Sequence, residues 1–328
     1  MTKHIMNQAS QMMADLKQGQ KLMYPTLMTL PEIHGFYQPL APKQKVAVIS
    51  GGGSGHEPAD VGYVGTGMLN AAIMGDLLTP PRSQAIVALA KQVASEQQVL
   101  LIVKNFPADR QVFEQAAQSL IASGYQVAQV IVTDDVSVDP STFKQRQRGV
   151  AGTVLLQKIL GHSAEQGASL AELAQLGQQL NRRLKTLGVA LSPADVPGNQ
   201  GPSFTLAPDQ IYYGIGIHGE PGYRQVQLPT SELLANELVN KLVPQLKVEQ
   251  QNVAVLVNGL GGTPLSELAI FAQDVQQLLR LKGLQSAFLK VGNYMTAYNM
   301  QGLSLSLLTL ASPTWLTALQ APSHAASW

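Results

Sequence analysis

The chain has 328 residues, of which 45% are hydrophobic and 13% are charged, and its formal net charge is +1. This length predicts two domains, since a domain commonly spans about 100–200 residues. The near-neutral charge leaves no basic stripe and argues against direct binding of nucleic acid. The absence of cysteine excludes disulfides, thiolate zinc sites and cysteine nucleophiles.

The first 40 residues predict a helix followed by an irregular arm that contains Pro25, Pro31 and Pro39. His34 lies in this arm and is expected at the surface. The N-terminus has no apolar core of the signal-peptide type, and no run approaches the roughly 18 apolar residues of a membrane span. We therefore expect a cytoplasmic protein without a membrane partner.

A glycine-rich stretch, SGGGSGHEP from Ser50 to Pro58, follows the apolar run Val46–Ile49, which predicts a buried strand. Glycines permit left-handed backbone angles and close ligand approach, and successive N–H groups can cradle an anion or a hydroxyl-rich molecule. The stretch lacks the spacing of a Walker loop, a dinucleotide fingerprint or a nucleophile elbow. It therefore predicts a small-molecule loop of unidentified ligand, with a purely structural turn as the alternative.

A second buried strand is predicted at Val99–Val103, and Lys104 to Asp109 follow it directly. Polar residues just beyond parallel strands are where α/β sheets bind ligands. A cation and a carboxylate there could hold a polyol and take a proton. The alternative interpretation makes Asp109 the N-cap of a helix over Gln111–Leu120.

A third strand, Val127–Val132, ends at Asp134 and Asp135, which we interpret as a solvated turn rather than a metal site. Helices are predicted at Ser83–Ala94 and after the capping-box spacing of Ser169 and Glu172. Strands and helices therefore alternate, which predicts an α/β fold of two α/β domains with mostly parallel sheets flanked by helices.

The Pro- and Gly-rich segment from Ser192 to Pro208 is the best linker candidate. It divides the chain into a first domain of residues 1–190, with the glycine-rich loop, and a second of residues 191–328. The second part repeats the alternation, and its predicted elements are a strand at Tyr212–Ile217, a helix at Ser231–Leu242, a strand at Val253–Val257, a helix from Pro264 and a strand at Ser304–Leu310.

Two histidines, His56 and His218, have similar surroundings, GSGHEP and GIHGEP. A neutral imidazole near a strand end is a nucleophile or a base near pH 7. With Asp109 and Lys104 they suit a small hydroxylated or carbonyl-bearing substrate. The histidines show no tight metal-ligand spacing, so no metal site is predicted.

Several stretches together resemble the dihydroxyacetone kinase family, in order and across about the whole chain. They are SGGGSGHEP, GYVGTGML, QRGVAGT, GIGIHGEPGYR, VNGLGGTPLSEL and KVGNYMTAYNMQGLSLSLL. The resemblance is to the DhaK type, the separate dihydroxyacetone-binding subunit of bacterial phosphotransferase-dependent kinases.

The resemblance implies that His218 attacks the carbonyl of dihydroxyacetone and holds it as a covalent hemiaminal. His56 and Asp109 would be acid–base groups that also bind the substrate, and Gly53 and Lys104 would contact it. Ser54 and Gly55 belong to the same loop and are expected to bind substrate as well. No cofactor is expected in this chain, because the resemblance places the nucleotide and Mg on a partner subunit, DhaL. A homodimer is also implied.

Some loops depart from the family pattern. Active DhaK subunits usually read KNYTGD, whereas this chain has Pro107 and Ala108 at the Thr and Gly positions. Residues 143–147 replace a usual YTAGR, and Thr79-Pro80-Pro81 replaces a more usual Thr-Ser-Pro. Proline removes a backbone N–H and restricts the residue before it, so the segment presenting Asp109 is expected to be reshaped. These changes also suit the family's DhaQ type, a non-catalytic dihydroxyacetone sensor that acts with a TetR-type transcription regulator.

Overall fold

The computed structural model describes residues 3–139, 141–142, 144–198, 201–246 and 251–328. The helices are α1 (Met12–Met23), α2 (Ser83–Val93), α3 (Pro107–Ala122), α4 (Thr153–Glu165), α5 (Leu170–Arg183), α6 (Ser231–Leu242), α7 (Leu265–Leu281) and α8 (Pro313–Gln320). None of the helices in these ranges is long and apolar enough to cross a membrane.

The first sheet has six strands in the order β1-β2-β4-β3-β5-β6. Their bounds are β1 (Met28–Thr29), β2 (Gly35–Tyr37), β3 (Val46–Ser54), β4 (Ala71–Leu77), β5 (Gln98–Lys104) and β6 (Gln126–Val132). Strands β3 to β6 pair in parallel, and β1 and β2 add antiparallel edges. The carboxyl ends of β3 and β5 therefore lie side by side. A small hairpin follows, formed by β7 (Val138–Asp139) and β8 (Lys144–Gln145).

The second sheet has six strands in the order β11-β10-β9-β14-β12-β13. Their bounds are β9 (Leu184–Ala190), β10 (Gln210–Tyr213), β11 (Arg224–Gln227), β12 (Asn252–Gly259), β13 (Gln285–Gly292) and β14 (Gly302–Thr309). Among these strands only β12 and β13 pair in parallel, so this sheet departs from the expected parallel arrangement. The reason is that loops, not crossover helices, connect β9 to β10 and β13 to β14. The prediction of two α/β units flanked by helices is confirmed.

The segment from Ser192 to Pro208 joins β9 to β10, which are neighbouring strands of the second sheet. Strand β9 lies before residue 191 in the chain and pairs with β14 in that sheet. The chain passes from one unit to the other where α5 runs directly into β9.

Three main hydrophobic clusters give the molecule its layers. Helices α2 and α3 cover the outer face of the first sheet, and α6 and α7 cover the outer face of the second. The central cluster contains Val48 and Leu100 from the first sheet, Leu256 and Leu308 from the second, and helix α4 between them. The two sheets therefore share one core, which fixes their loops relative to each other.

Two surface interpretations are wrong. Asp134 and Asp135 are 0% and 2% exposed, because the loop into α4 covers the end of β6. Asp134 accepts hydrogen bonds from the backbone N–H groups of Val150 and Gly152 at 2.7 and 2.9 Å. His34 is half-buried, and its Nε2 lies 2.6 Å from Gln20 Oε1.

Candidate active site

The glycines after Ile49 belong to strand β3, which continues through Ser54 instead of ending in a turn. They are needed because neighbours pack against the bare backbone. A Cβ atom on Gly51 would lie 2.1 Å from the carbonyl oxygen of Ile73, and one on Gly53 would lie 2.5 Å from the backbone nitrogen of Thr79. The Ser54 hydroxyl donates to the Gly75 carbonyl at 2.8 Å.

Backbone hydrogen bonds join the turn that follows β3 to the second unit of the chain. Gly55 has a φ of +101°, a conformation that favours glycine, and its carbonyl accepts the Tyr298 N–H at 2.8 Å. The His56 carbonyl accepts the Thr296 N–H at 3.2 Å. The loop between β13 and β14 therefore holds the backbone on both sides of His56.

The His56 side chain is 1% exposed, and its Nδ1 lies 2.7 Å from the Thr296 carbonyl oxygen. A carbonyl only accepts, so Nδ1 carries the proton and Nε2 carries the lone pair. That Nε2 is buried and has no hydrogen-bond partner among the described residues. Burial, reinforced by the neighbouring His218, holds the pKa of His56 well below its ordinary value. His56 is therefore a neutral base with a free acceptor.

His218 follows β10 in a loop and meets His56 across the two units, with the ring centroids 4.9 Å apart. The ring of Phe106 packs edge-on against it at 4.3 Å. Nδ1 of His218 lies 3.3 Å from Glu220 Oε1, and its backbone N–H donates to Glu220 Oε2 at 3.0 Å. A carboxylate at Nδ1 favours the tautomer whose Nε2 has a free lone pair, which is the nucleophilic form.

Glu220 is ionised in this setting. Burial alone would raise its pKa, but the hydrogen bond and charge of His218 and the charge of Arg148 outweigh burial and lower the pKa to about 2. Arg148 Nη1 lies 3.9 Å from Glu220 Oε2.

Asp109 lies in the first turn of α3 and is 3% exposed. The interpretation as an N-cap is wrong, because Phe106 is the N-cap residue and Pro107 begins the helix. Proline is tolerated at the first helical position, since its missing N–H would have no partner in the helix there. Burial raises the pKa of Asp109, and the nearby charges of Lys104 and His218 partly oppose this shift. A Cβ atom on Gly52 would lie 3.2 Å from Asp109 Oδ1, so the carboxylate packs against the glycine strand.

Residues 18–327 match the family model of the Dak1 domain. The chain belongs to the Dak1 family. It is 46% identical to the DhaKLM operon coactivator DhaQ of Lactococcus lactis over 98% of this chain and 99% of that protein. It is 43% identical to the dihydroxyacetone-binding subunit DhaK of a PTS-dependent dihydroxyacetone kinase from the same organism, over 99% and 98%. A solved structure of a dihydroxyacetone kinase operon co-activator, Dha-DhaQ, superposes with a TM-score of 0.91 at 47% identity and covers 96% of this chain and 97% of that chain.

Lys104 of this Dak1 chain is 2% exposed and donates from Nζ to the Gly51 carbonyl and to Asp60 Oδ2, both at 2.8 Å. The other Asp60 oxygen accepts from Gln157 Nε2 at 2.7 Å. An ammonium has three hydrogens, so one remains for a ligand beside Gly52. Lys104 is thus both a structural anchor of the glycine strand and an available donor.

Sequence reasoning missed four residues that hold the candidate site residues or their partners: Asp60, Arg148, Gln157 and Thr296. Each acts on a site residue that is distant in the chain, so local spacing gave no signal. Glu220 could have been found, because it stands two residues after His218 and reaches back to its N–H. Phe143, in one of the altered loops, lies outside the described residues.

A cavity of about 820 Å³ is bordered by Phe106 and Glu220, which both contact His218, but its wall does not include His218, His56 or Asp109. Residues along its wall include Asn105, Phe106, Pro107, Arg146, Arg148 and Glu220. Within the described ranges, no group of three or more His, Asp or Glu side chains could hold a metal ion. The arrangement therefore brings a nucleophile, a neutral base and a buried carboxyl group into one region of the structure.

Proposed function

We propose that this chain is a dihydroxyacetone-binding subunit of the DhaK type, which captures the ketone on His218 for phosphoryl transfer. The observation that carries the proposal is the pair of facing imidazoles, His218 with Glu220 at Nδ1 and His56 with a buried free Nε2. The name of the DhaK relative, a dihydroxyacetone-binding subunit, supports the choice of ligand.

The capture step is an addition without a leaving group. The Nε2 lone pair of His218 forms a bond to the carbonyl carbon, and the π electrons of the C=O bond move to its oxygen, which takes up a proton. Asp109, whose pKa is raised mainly by burial, supplies that proton and becomes a carboxylate. The imidazole keeps its Nδ1 proton and becomes a cation that the ionised Glu220 carboxylate stabilises, so the total charge is unchanged.

A covalent bond compensates for the low non-covalent affinity that a small ligand can reach. Dihydroxyacetone has few heavy atoms, and at about −1.5 kcal/mol per atom even an efficient ligand of about six atoms is limited to roughly −9 kcal/mol. A reversible C–N bond adds affinity and rejects glycerol, which has no carbonyl group.

In the transfer step, His56 Nε2 accepts the proton of a terminal substrate hydroxyl as that oxygen attacks phosphorus. Phosphoryl transfer depends mainly on positioning and charge stabilisation. We propose that a DhaL-type partner carries the nucleotide and Mg and supplies the phosphoryl group, and that this chain acts as a homodimer.

The test is formation of dihydroxyacetone phosphate by the purified protein with a DhaL subunit and its phosphoryl donor. An active DhaK with the same DhaL serves as the control. Turnover comparable to the control supports the kinase subunit. The absence of turnover with several DhaL subunits, each active with its own DhaK, would contradict it.

A second candidate function is that of a co-activator that senses dihydroxyacetone and acts with a TetR-type regulator. It is favoured by the 46% identity to a DhaQ over nearly the full length, against 43% to a DhaK from the same organism. Capture by His218 serves both functions. Under this alternative the adduct forms without turnover, and dihydroxyacetone changes the binding of the purified regulator to this chain.

A further inference from the structure

We infer that Arg148, held in place by Asp135, is a positioning residue that orients His218 through Glu220. The inference deepens the proposed function and rests on it, since its measure is the capture of the carbonyl by His218.

The first support is the anchoring of the guanidinium group. Arg148 is 7% exposed, and its Nε donates to Asp135 Oδ2 at 2.6 Å. Its Nη2 donates to the Gly214 carbonyl at 2.7 Å and to Ser137 Oγ at 3.0 Å. These bonds direct the remaining nitrogen, Nη1, to Glu220 Oε2 at 3.9 Å. The fork of an arginine is rigid, so fixing one side fixes the other.

The second support is where these partners lie in the fold. Asp135 follows β6 of the first sheet, whereas Gly214 and Glu220 follow β10 of the second. Arg148 therefore ties the His218 loop to the unit that carries His56 and Asp109. Arg146 adds donors to the carbonyls of Pro221 and Gly222, on the same loop.

The third support is that the two carboxylate oxygens of Glu220 contact different groups. Oε2 faces Arg148 and accepts the His218 backbone N–H, while Oε1 faces Nδ1 of the His218 ring. A Cβ atom on Gly216 would lie 2.0 Å from Oε2, so the carboxylate packs closely against the loop backbone. Without the guanidinium, Oε2 loses its cation and the His218 N–H is its remaining donor among the described residues, so the carboxylate can turn about that one bond. Nδ1 of His218 then loses its acceptor, and the tautomer with the proton on Nε2, which has no lone pair there for attack, gains population.

The test is a double-mutant cycle on the rate of adduct formation with dihydroxyacetone, followed by intact mass. The variants are Arg148→Met, Glu220→Gln and the double variant, with thermal unfolding recorded for each. We expect Arg148→Met to slow capture by about 100-fold, the usual cost of a displaced reacting group. In the Glu220→Gln background the same change should have little further effect, because Arg148 acts through Glu220.

Two further variants serve as controls. Arg148→Lys keeps the charge but cannot reach Asp135, Gly214 and Glu220 together, so we expect a capture rate between those of the wild-type protein and Arg148→Met. If Arg148→Met does not fold, Arg148→Lys replaces it in the double-mutant cycle. Arg224→Met breaks an exposed ion pair with Glu237 and should leave capture unchanged.

The outcomes separate the inference from the proposed function. Capture at the wild-type rate in Arg148→Met, or equal slowing with and without Glu220, would overturn the positioning role. The absence of any adduct in the wild-type protein would instead overturn the proposed function.

Discussion

The buried ion pair beneath the glycine strand gives a stability prediction that can be worked out from the structure. Lys104 and Asp60 are 2% and 1% exposed and are joined at 2.8 Å. Asp60→Asn leaves one oxygen for two donors, Lys104 Nζ and Gln157 Nε2, and places an amide N–H₂ group against one of them. Removing one member of a buried pair leaves an uncompensated charge, which costs about 3–5 kcal/mol.

The second single variant is Lys104→Met, and together with Asp60→Asn and the double variant it forms a double-mutant cycle. It leaves the Asp60 carboxylate with Gln157 as its remaining side-chain donor among the described residues. We expect a similar cost of about 3–5 kcal/mol. The double variant contains no buried charge at this position, so its cost should fall short of the sum by about 2–3 kcal/mol.

The assay is urea unfolding of the four proteins, followed by both circular dichroism and tryptophan fluorescence to establish whether the transitions coincide. The free energies of unfolding then give the coupling. Strictly additive costs, or single variants as stable as the wild-type protein, would refute the argument that the two charges compensate each other.

Two further predictions concern Gly51 in strand β3 and the neutral base His56. Gly51→Ala should cost about 4 kcal/mol or more and sharply lower the melting temperature, because the added Cβ would lie 2.1 Å from the Ile73 carbonyl oxygen. The matched change Gly19→Ala, in open space on α1, should be neutral or stabilising, and equal melting temperatures for the two would contradict the steric reason. The folded state keeps His56 neutral below its ordinary pKa of 6.5, whereas the unfolded chain takes up a proton, so stability is present above pH 6.5 and is lost as the pH falls. His56→Asn should reduce this slope by up to about 1.4 kcal/mol per pH unit in urea titrations from pH 6.5 to 5, while His34, whose pKa burial lowers to about 4, contributes a slope of the same sign in both proteins. An unchanged slope would show that His56 does not titrate as described.

Three strands of the first sheet, β3, β5 and β6, could be predicted from local pattern, because each contains an apolar run, whereas β1, β2 and β4 were not predicted. The runs at Val46–Ile49 and Val99–Val103 lie within β3 and β5, and the capping box of Ser169 and Glu172 is present as expected. The predicted strand Tyr212–Ile217 ends early at Tyr213, because Gly214 takes a φ of +78° and turns the chain.

Strand pairing could not be read from the sequence. Strand β9 begins directly after a helix with no turn between them, and β13 is an edge strand whose side chains are mostly half-buried, so neither shows a continuous buried apolar run bounded by turns. The leucine spacing of α5 persists to Leu184, where β9 begins, so the pattern does not mark the end of the helix. The antiparallel pairing in the second sheet depends on the paths of the β9–β10 and β13–β14 loops, and no local sequence pattern indicates those paths.

For the site, the sequence indicated the titratable side chains, and the fold brings two of them, His56 and His218, into ring contact. Asp109 and Lys104 both lie against Gly52. The residues that set their charge and orientation come from distant parts of the chain and depend on packing between the two units. The catalytic and binding roles of the named residues stay predictions.

The central claim is that His218 forms a covalent bond with the carbonyl of dihydroxyacetone. The most direct measurement is intact mass under mild conditions after incubation with dihydroxyacetone, for the wild-type protein and for His218→Ala, with glycerol as the negative control. We expect a gain equal to one dihydroxyacetone in the wild-type protein, and none with glycerol or in the variant. A gain that survives His218→Ala, or no gain in a folded wild-type protein, would contradict the claim.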